Sequence, residues 1–204
     1  MTSMTELKRD QFADAFIARL EKLIEKEDRG ALATLRRGLA KEIAFEIYRF
    51  MPFRPEVWQE DAALLVGPLF ALWHQGKDKV MNAGEDGNLG TSMLALVNAI
   101  AREGTDREDA MKSVERRFGA LLNCHADDLK LHLRHAVSRL KSKEVPVNWR
   151  LLLRHVQQWS HEDRWVQREW ARSFWALKME DSEAFDDVST SETSEEIDAN
   201  DSIE

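Results

Sequence analysis

Four residues whose side chains bind metals or act as nucleophiles lie close together in the sequence: Cys124, His125, His132 and His135. Structural zinc sites take paired ligands from both sides of a loop, and this spacing does not follow that rule. His132 and His135 lie one helical turn apart among arginines, which favours a polar helix surface. Cys124 and His125 are adjacent, and adjacent residues of a helix or cap point apart. We therefore predict no metal site and no catalytic residue in this segment.

The segment 75–90, QGKDKVMNAGEDGNLG, holds four of the nine glycines and has no sustained apolar period. A phosphate-binding loop is absent because Asp78 follows Gly76-Lys77. The carboxylates of Glu85 and Asp86 disfavour phosphate and, as an isolated pair, are a weak hydrolase signal. We predict a long loop that docks to protein or nucleic acid and holds no cofactor.

Aromatic and basic residues alternate in the segment 154–178, which holds four of the seven tryptophans and five Arg or Lys residues. On a helical wheel Trp170 and Phe174 share one face, which predicts that they are core residues. Trp175 falls among the arginines of the opposite face and Trp165 at its edge, so these two rings are open to a base or a partner. The arginines of that opposite face could serve either of two roles, contact with phosphate or ordinary cation-π pairing at the surface. Those arginines are Arg164, Arg168 and Arg172.

Charge is unevenly distributed along the chain, whose formal net charge is −8. Residues 180–204 contain eleven Asp or Glu and no Lys or Arg, so the first 179 residues carry a net charge of +3. The domain contains several basic residues, and its acidic residues are concentrated in a tail. This distribution favours a surface that binds a polyanion independently of its sequence and in a salt-sensitive way. A single basic doublet is usually a solvated helix face. The further basic residues are Arg36, Arg37, Arg116, Arg117, Arg134, Arg139 and Lys141.

Helical periodicity dominates and no long period-two pattern occurs, so the predicted class is all-α, a compact multi-helix bundle. One helix is predicted from about Gly30 to Phe50. The next has Pro55 in its first turn and is kinked or divided at Gly67-Pro68.

Five more helices follow, from about Leu89 onward. A helix resumes at about Leu89, and Thr105 to Glu108 has the spacing of a capping box that opens the next one. A further helix covers about 126–143. Asn148 and Ser160 are predicted N-caps of the last two helices.

The predicted organisation is an N-terminal helical subdomain over 1–103, a basic C-terminal helical subdomain over 104–180 and a disordered acidic tail over 181–204. The single cysteine excludes an internal disulfide framework, and no apolar run is long enough to cross a bilayer. The N-terminus lacks the apolar region of a signal peptide. We expect a cytoplasmic protein with no membrane partner.

The sequence resembles the CasB family, the small subunit of the type I-E CRISPR Cascade surveillance complex. The resemblance runs through 29–178 and is strongest in the basic helical motifs. The matching motifs are RGALATLRRG (29–38), EIYRFMP (46–52), GNLG (87–90), ERRFGALLNC (115–124), LKLHLRHAVSRLKSKEVPVNWRLLLRHVQQW (129–159) and RWVQREWARSFW (164–175).

The resemblance implies an all-α protein without catalytic activity that binds crRNA-guided target DNA and the displaced strand of the R-loop. Its partners would be crRNA, target DNA, the large, backbone and neighbouring subunits of Cascade, and a second copy of itself. Guide pairing reads the sequence, so such a subunit needs to grip only the nucleic-acid backbone. The contacts it implies are Arg36, Arg37, Arg116, Arg117, Arg134, Arg139 and Lys141, with Arg164, Arg168 and Arg172 shared with subunit packing.

Two alternatives stay open at this level. The acidic tail departs from the family pattern, and we interpret it as a solubility extension in preference to a competitor of nucleic acid. The alternative function is a helical adaptor that contacts only proteins.

Overall fold

Helices make up the regular structure of the computed structural model, which describes residues 4–40, 45–83 and 87–186. Within those ranges no β-strand occurs, and the all-α prediction is confirmed. The helices are α1 (Met4–Glu25), α2 (Arg29–Arg37), a 3₁₀ helix (Phe45–Phe50), α3 (Val57–Trp73), α4 (Leu89–Arg102), α5 (Arg107–Asn123), α6 (Ala126–Ser142), α7 (Trp149–Val156) and α8 (Trp165–Asp186).

The single helix predicted from Gly30 to Phe50 is wrong, because α2 ends at Arg37 and the 3₁₀ helix follows separately. Glycine is a poor helix residue, by about 1 kcal/mol relative to alanine. Gly38 stands at the end of α2, and its carbonyl accepts a hydrogen bond from Lys130 Nζ at 3.1 Å. The end of α2 is thereby attached to α6.

Pro68 lies inside α3, which continues through it to Trp73, so of the predicted kink or division the division does not occur. An interior proline costs a helix roughly 3 kcal/mol. Three large side chains beyond it, Leu69, Phe70 and Trp73, are fully buried. Burial of each contributes roughly 1.5–3 kcal/mol, which outweighs that cost.

Two of the predicted helix starts are displaced in the structure. Asp106 caps α5 in place of Thr105, because its carboxylate accepts from the backbone N–H of Glu108 at 2.8 Å. Ser160 is not a cap, since turns separate it from α8, which begins at Trp165. The prediction for Asn148 is confirmed, because its side chain accepts from Leu151 N at 3.0 Å.

The packing of the helices has two centres. Helix α3 packs against α1, α2, α6 and α7, and α4 packs against α5, α6 and α8. Buried apolar side chains of both groups form one continuous cluster. Helix α7 packs on α1 and α3, across the predicted boundary at residue 103. The division into subdomains stays a prediction.

Buried tryptophans anchor this core. Trp73, Trp149 and Trp170 are fully buried, and Trp73 Nε1 donates to the Val145 carbonyl at 3.0 Å. Trp170 Nε1 donates to Nδ1 of the buried His155 at 2.7 Å. Trp170 and the fully buried Phe174 lie in the core, as predicted.

Helix α8 continues to Asp186, past the predicted start of the tail at residue 181. The rest of that predicted tail lies outside the described residues, as do Glu85 and Asp86. Among the helices that the structure describes, none is long and apolar enough to cross a membrane.

Candidate nucleic-acid interface

Helix α6 carries basic residues on both flanks of its buried stripe. Leu133, Val137 and Leu140 are buried in that stripe. At about 100° per residue, Arg139 lies on the flank toward α5, and Lys141 lies on the flank toward α2. The helix therefore separates two groups of cations.

The first group is the α5–α6 groove, which we define by Arg117, His132, His135 and Arg139, over a floor that includes Phe118. Burial lowers the pKa of Arg139, and the positive charge of Arg117 lowers it further. Arg139 donates to the carbonyl and the hydroxyl of Ser113 at 3.4 Å, but no carboxylate pairs with it among the described residues. Two guanidinium groups thus share an apolar groove, where an anionic ligand would offset their repulsion.

The second group is the α2–α6 cluster, made of Arg36, Lys77 and Lys141. Burial lowers the pKa of Lys141, followed by the charges of Arg36 and Lys77. Lys141 Nζ donates to Gln75 Oε1 at 3.0 Å, whereas Lys77 forms an ion pair with Glu144. The loop predicted to be functional at 75–90 therefore places Lys77 beside the predicted contacts Arg36 and Lys141.

Three other predicted contacts lie at the surface. Arg116 and Arg134 are exposed, and their side chains form no hydrogen bond or ion pair within the described parts of the chain. Arg37 is also exposed and donates to the Thr34 hydroxyl at 2.8 Å. Their guanidinium groups are open to an external partner.

The arginine stripe of the last helix is shorter than predicted. Arg164 precedes α8, and its guanidinium donates to the Leu122 carbonyl. That carbonyl belongs to the last turn of α5, where helix amides cannot satisfy it. Arg168 and Arg172 remain exposed on α8, and neither side chain pairs with another described residue.

The two tryptophan rings predicted to be open to a base or a partner both have intramolecular contacts. Trp175 is partly buried, packs against Phe118 and Phe174, and donates from Nε1 to Glu115 Oε1 at 3.0 Å. Trp165 packs edge-on against His155 with ring centroids 5.3 Å apart. Both rings remain partly exposed, and Trp165 lines a surface pocket with Arg9 and Arg154, so their availability to a base or a partner stays a prediction.

Two arginines of α7 attach this helix to α1. Arg150 pairs with Glu21, and Arg154 pairs with Asp10 and Asp14 at about 3 Å. Such pairing neutralises them, so they do not belong to the candidate interface. Sequence reasoning could not separate them from the arginines without partners.

The metal and nucleophile candidates are scattered in the structure. Cys124 caps α5 and His125 precedes α6, whereas His132 and His135 lie in the α5–α6 groove. Burial, with the charge of Asp128, raises the pKa of the Cys124 thiol, which disfavours the reactive thiolate. Over the described ranges, no three His, Cys, Asp or Glu side chains are grouped to hold a metal ion.

A family model described as CRISPR-associated protein Cse2 matches residues 31–175. The chain belongs to the Cse2 family. No curated protein is similar enough to this Cse2 chain to count as a match.

Solved structures share the fold of this Cse2 chain. A chain of a "CRISPR RNA-guided surveillance complex" is 27% identical, with a TM-score of 0.67, and the match covers 87% of this chain and 98% of that one. A chain of the "CRISPR RNA-guided surveillance complex, pre-nicking" is 30% identical, with a TM-score of 0.63 and coverage of 84% and 98%. CasB from Thermus thermophilus, 23% identical, has the same fold, with a TM-score of 0.62 and coverage of 80% and 97%.

The GNLG motif of this Cse2 chain has an architectural role. Asn88 caps α4 by accepting from Thr91 N at 3.2 Å, and its Nδ2 donates to Ser173 Oγ of α8 at 2.8 Å. A Cβ added at Gly90 would lie 2.0 Å from the Trp170 carbonyl oxygen. Glycine at this position therefore allows α4 and α8 to approach closely.

Proposed function

We propose that this chain is a non-catalytic small subunit of a crRNA-guided Cascade surveillance complex of type I-E, where it binds nucleic-acid backbone. In this role it stabilises guided binding of target DNA and holds the displaced strand of the R-loop. The observation that carries the proposal is the pair of cationic groups on the two flanks of α6, in a member of the Cse2 family.

The chemistry of those groups suits phosphate better than bases. Arg117, Arg139 and Lys141, which pair with no carboxylate among the described residues, are free to replace the counterions of a phosphate chain, which makes binding salt-dependent and independent of sequence. Trp165 and Trp175, the tryptophans of α8 outside the core, already contact His155 and Glu115. Sequence discrimination is then left to the pairing between guide and target.

The proposed partners are crRNA and target DNA, the large, backbone and neighbouring subunits of the complex, and a second copy of this chain. The resemblance of the fold to chains of two surveillance-complex structures supports an assembly of this kind. A complex that binds intruding DNA acts in the cytoplasm, where we place the protein.

Charge reversal in the α5–α6 groove tests the proposal. The variant carries Arg117→Glu and Arg139→Glu, and the measurement is fluorescence anisotropy with single-stranded DNA over a range of salt concentrations. Each lost phosphate contact on a single strand lowers the slope of log K against log salt by about 0.7, so we expect a slope smaller by about 1.4. Affinity at low salt should fall at least tenfold.

The matched control carries Lys22→Glu and Lys26→Glu, the same change in net charge on an exposed part of the chain near the end of α1. It should keep most of the wild-type affinity. Circular dichroism must show that both variants are folded. Equal losses in groove and control variants, or no salt dependence in the wild type, would favour the alternative function of a helical adaptor that contacts only proteins.

A further inference from the structure

A second groove, which we call the α3–α7 groove, lies between the first half of α3, the first turn of α6 and the end of α7. Its volume is about 710 Å³, which is within the range of sites that take a ligand or a peptide side-chain cluster. Much of its lining is apolar or aromatic, including Trp58, Leu64, Leu65 and Trp159, with Tyr48 at one side.

The ionisable lining of this groove is acidic. Glu60, Asp61 and Asp127 line it, together with one cation, Lys130, whose ammonium donates to the Gly38 carbonyl at 3.1 Å. Asp61 and Asp127 form no ion pair with any other residue that the structure describes. The rim therefore attracts positive charge and repels phosphate.

Two further features of the lining describe the chemistry of the groove. The guanidinium of Arg9 lies 5.6 Å from the centroid of the Trp58 ring, an intramolecular cation-π contact at the edge of the groove. The amide nitrogen and oxygen of Gln157 are buried without a hydrogen-bond partner in the described structure. A carboxamide offers a donor and an acceptor, which match the two polar groups of a peptide bond.

The groove is separate from the cationic interface. Along α6, Asp127 lies five residues before His132 of the α5–α6 groove and fourteen before Lys141 of the α2–α6 cluster, about 7.5 and 21 Å. The groove and the two cationic groups are formed by different side chains.

We propose that the α3–α7 groove docks an apolar segment bearing Lys or Arg from a neighbouring protein subunit of a different kind. Its apolar side chains cover the aromatic floor, its cations face Asp61 and Asp127, and one of its peptide groups pairs with Gln157. This inference rests on the proposed function, because that function places another protein subunit beside this chain. It adds the chemistry by which the two proteins would make contact.

Peptide binding tests the groove on the full-length protein. The probes are a fluorescein-labelled amphipathic Leu/Lys peptide and a Leu/Glu peptide with the same apolar pattern. The wild type should bind the Leu/Lys peptide at least tenfold more tightly. Asp61→Lys with Asp127→Lys should remove that preference.

The matched control is Glu25→Lys with Glu108→Lys, which makes the same change in charge and, like the Asp127 substitution, alters the first turn of a helix. The control should keep the tenfold preference. Equal loss in both variants, or equal binding of both peptides by the wild type, would overturn the proposal.

A photo-crosslink in the reconstituted complex identifies the occupant. With p-benzoylphenylalanine in place of Ala126, which lines the groove, crosslinking should reach a Lys- or Arg-bearing apolar segment of another subunit. A crosslink to nucleic acid or to a second copy of this chain contradicts it. The variant Asp61→Lys with Asp127→Lys should bind single-stranded DNA at least as well as the wild type. Loss of peptide binding and loss of DNA binding therefore test the groove and the cationic interface separately.

Discussion

At the scale of single residues, the role of an arginine depends on whether a carboxylate faces it. Arg150 and Arg154 face the acidic residues of α1 and hold two helices together. Arg117 faces Arg139 instead, and burial with like charge leaves that pair without internal compensation. The sequence predicted a basic surface but could not sort these arginines, because their partners lie far away along the chain, in another helix.

The same limit applies to the tryptophans. The helical period placed Trp170 and Phe174 in the core, because period alone determines the face of a helix that is buried. Trp175 falls on the opposite face of the wheel, but Phe118 and Glu115 of α5 cover it. Such coverage depends on tertiary packing and has no signal in the spacing of α8.

A buried histidine makes the stability depend on pH. Burial, followed by the charge of Arg154, lowers the pKa of His155 to about 4. The unfolded chain, with a histidine pKa of about 6.5, binds a proton between pH 6.5 and 4 that the folded chain does not. Stability is therefore complete above about pH 6.5 and falls with decreasing pH, by up to about 1.4 kcal/mol per pH unit for this one group.

His155→Gln tests that dependence, because glutamine keeps an acceptor for the Trp170 N–H. Urea denaturation between pH 5 and 7 should show a slope smaller than that of the wild type by about one proton. His74 is also buried, and burial lowers its pKa to about 4. The substitution His74→Gln should therefore reduce the slope by a similar amount. An unchanged slope in both variants would contradict the assignment.

At the scale of helices, most of the architecture follows from the apolar period and the capping residues. The starts of α4 and α6 and the cap of α7 were predictable, since the apolar helical period resumes near Leu89 and Ala126, and asparagine is a preferred N-cap residue at position 148. The break at Gly38 also has a local signal, the low helix propensity of glycine, which the apolar period through Phe50 outweighed in the prediction. The continuity through Pro68 was not predictable from local signals, because it depends on burial of the end of α3.

The approach of α4 to α8 gives a prediction for Gly90→Ala. The added Cβ would lie 2.0 Å from a backbone carbonyl oxygen, which cannot rotate away as a side chain can. The two helices must separate, and we expect the free energy of unfolding to fall by about 1–3 kcal/mol. Chemical denaturation measures it.

Gly119→Ala is the matched control, because Gly119 lies in α5 with no atom within 4 Å of an added Cβ. That substitution should leave stability unchanged or raise it by up to about 1 kcal/mol through helix propensity. Destabilisation of both variants to the same extent would show that Gly90 has no special role.

At the scale of the whole molecule, positive charge flanks α6 while negative charge lies in the α3–α7 groove and in the C-terminal segment. The overall net charge of −8 therefore gives no indication of the binding surface. The concentration of acidic residues in the C-terminal segment was visible in the sequence. The acidic groove was not, because Asp61 and Asp127 meet only through the packing of α3 on α6.

Removal of residues 187–204 tests whether the C-terminal segment competes with nucleic acid. The segment holds seven acidic and no basic residues, so truncation after Asp186 changes the net charge from −8 to −1. We expect unchanged affinity for single-stranded DNA at low salt and lower solubility. A rise in affinity of several fold would instead indicate competition for the cationic flanks.

The ion pairs between α1 and α7 have a consequence for synthesis of the chain. Arg150 lies 129 residues after Glu21, and translation at roughly 5–20 residues per second takes about 6–26 s to cover that distance. During this interval α1 can pack on α3, but Asp10, Asp14 and Glu21 cannot form their ion pairs until α7 has been synthesised. A ribosome that stalls before α7 therefore carries a nascent chain whose first helix lacks its last partner.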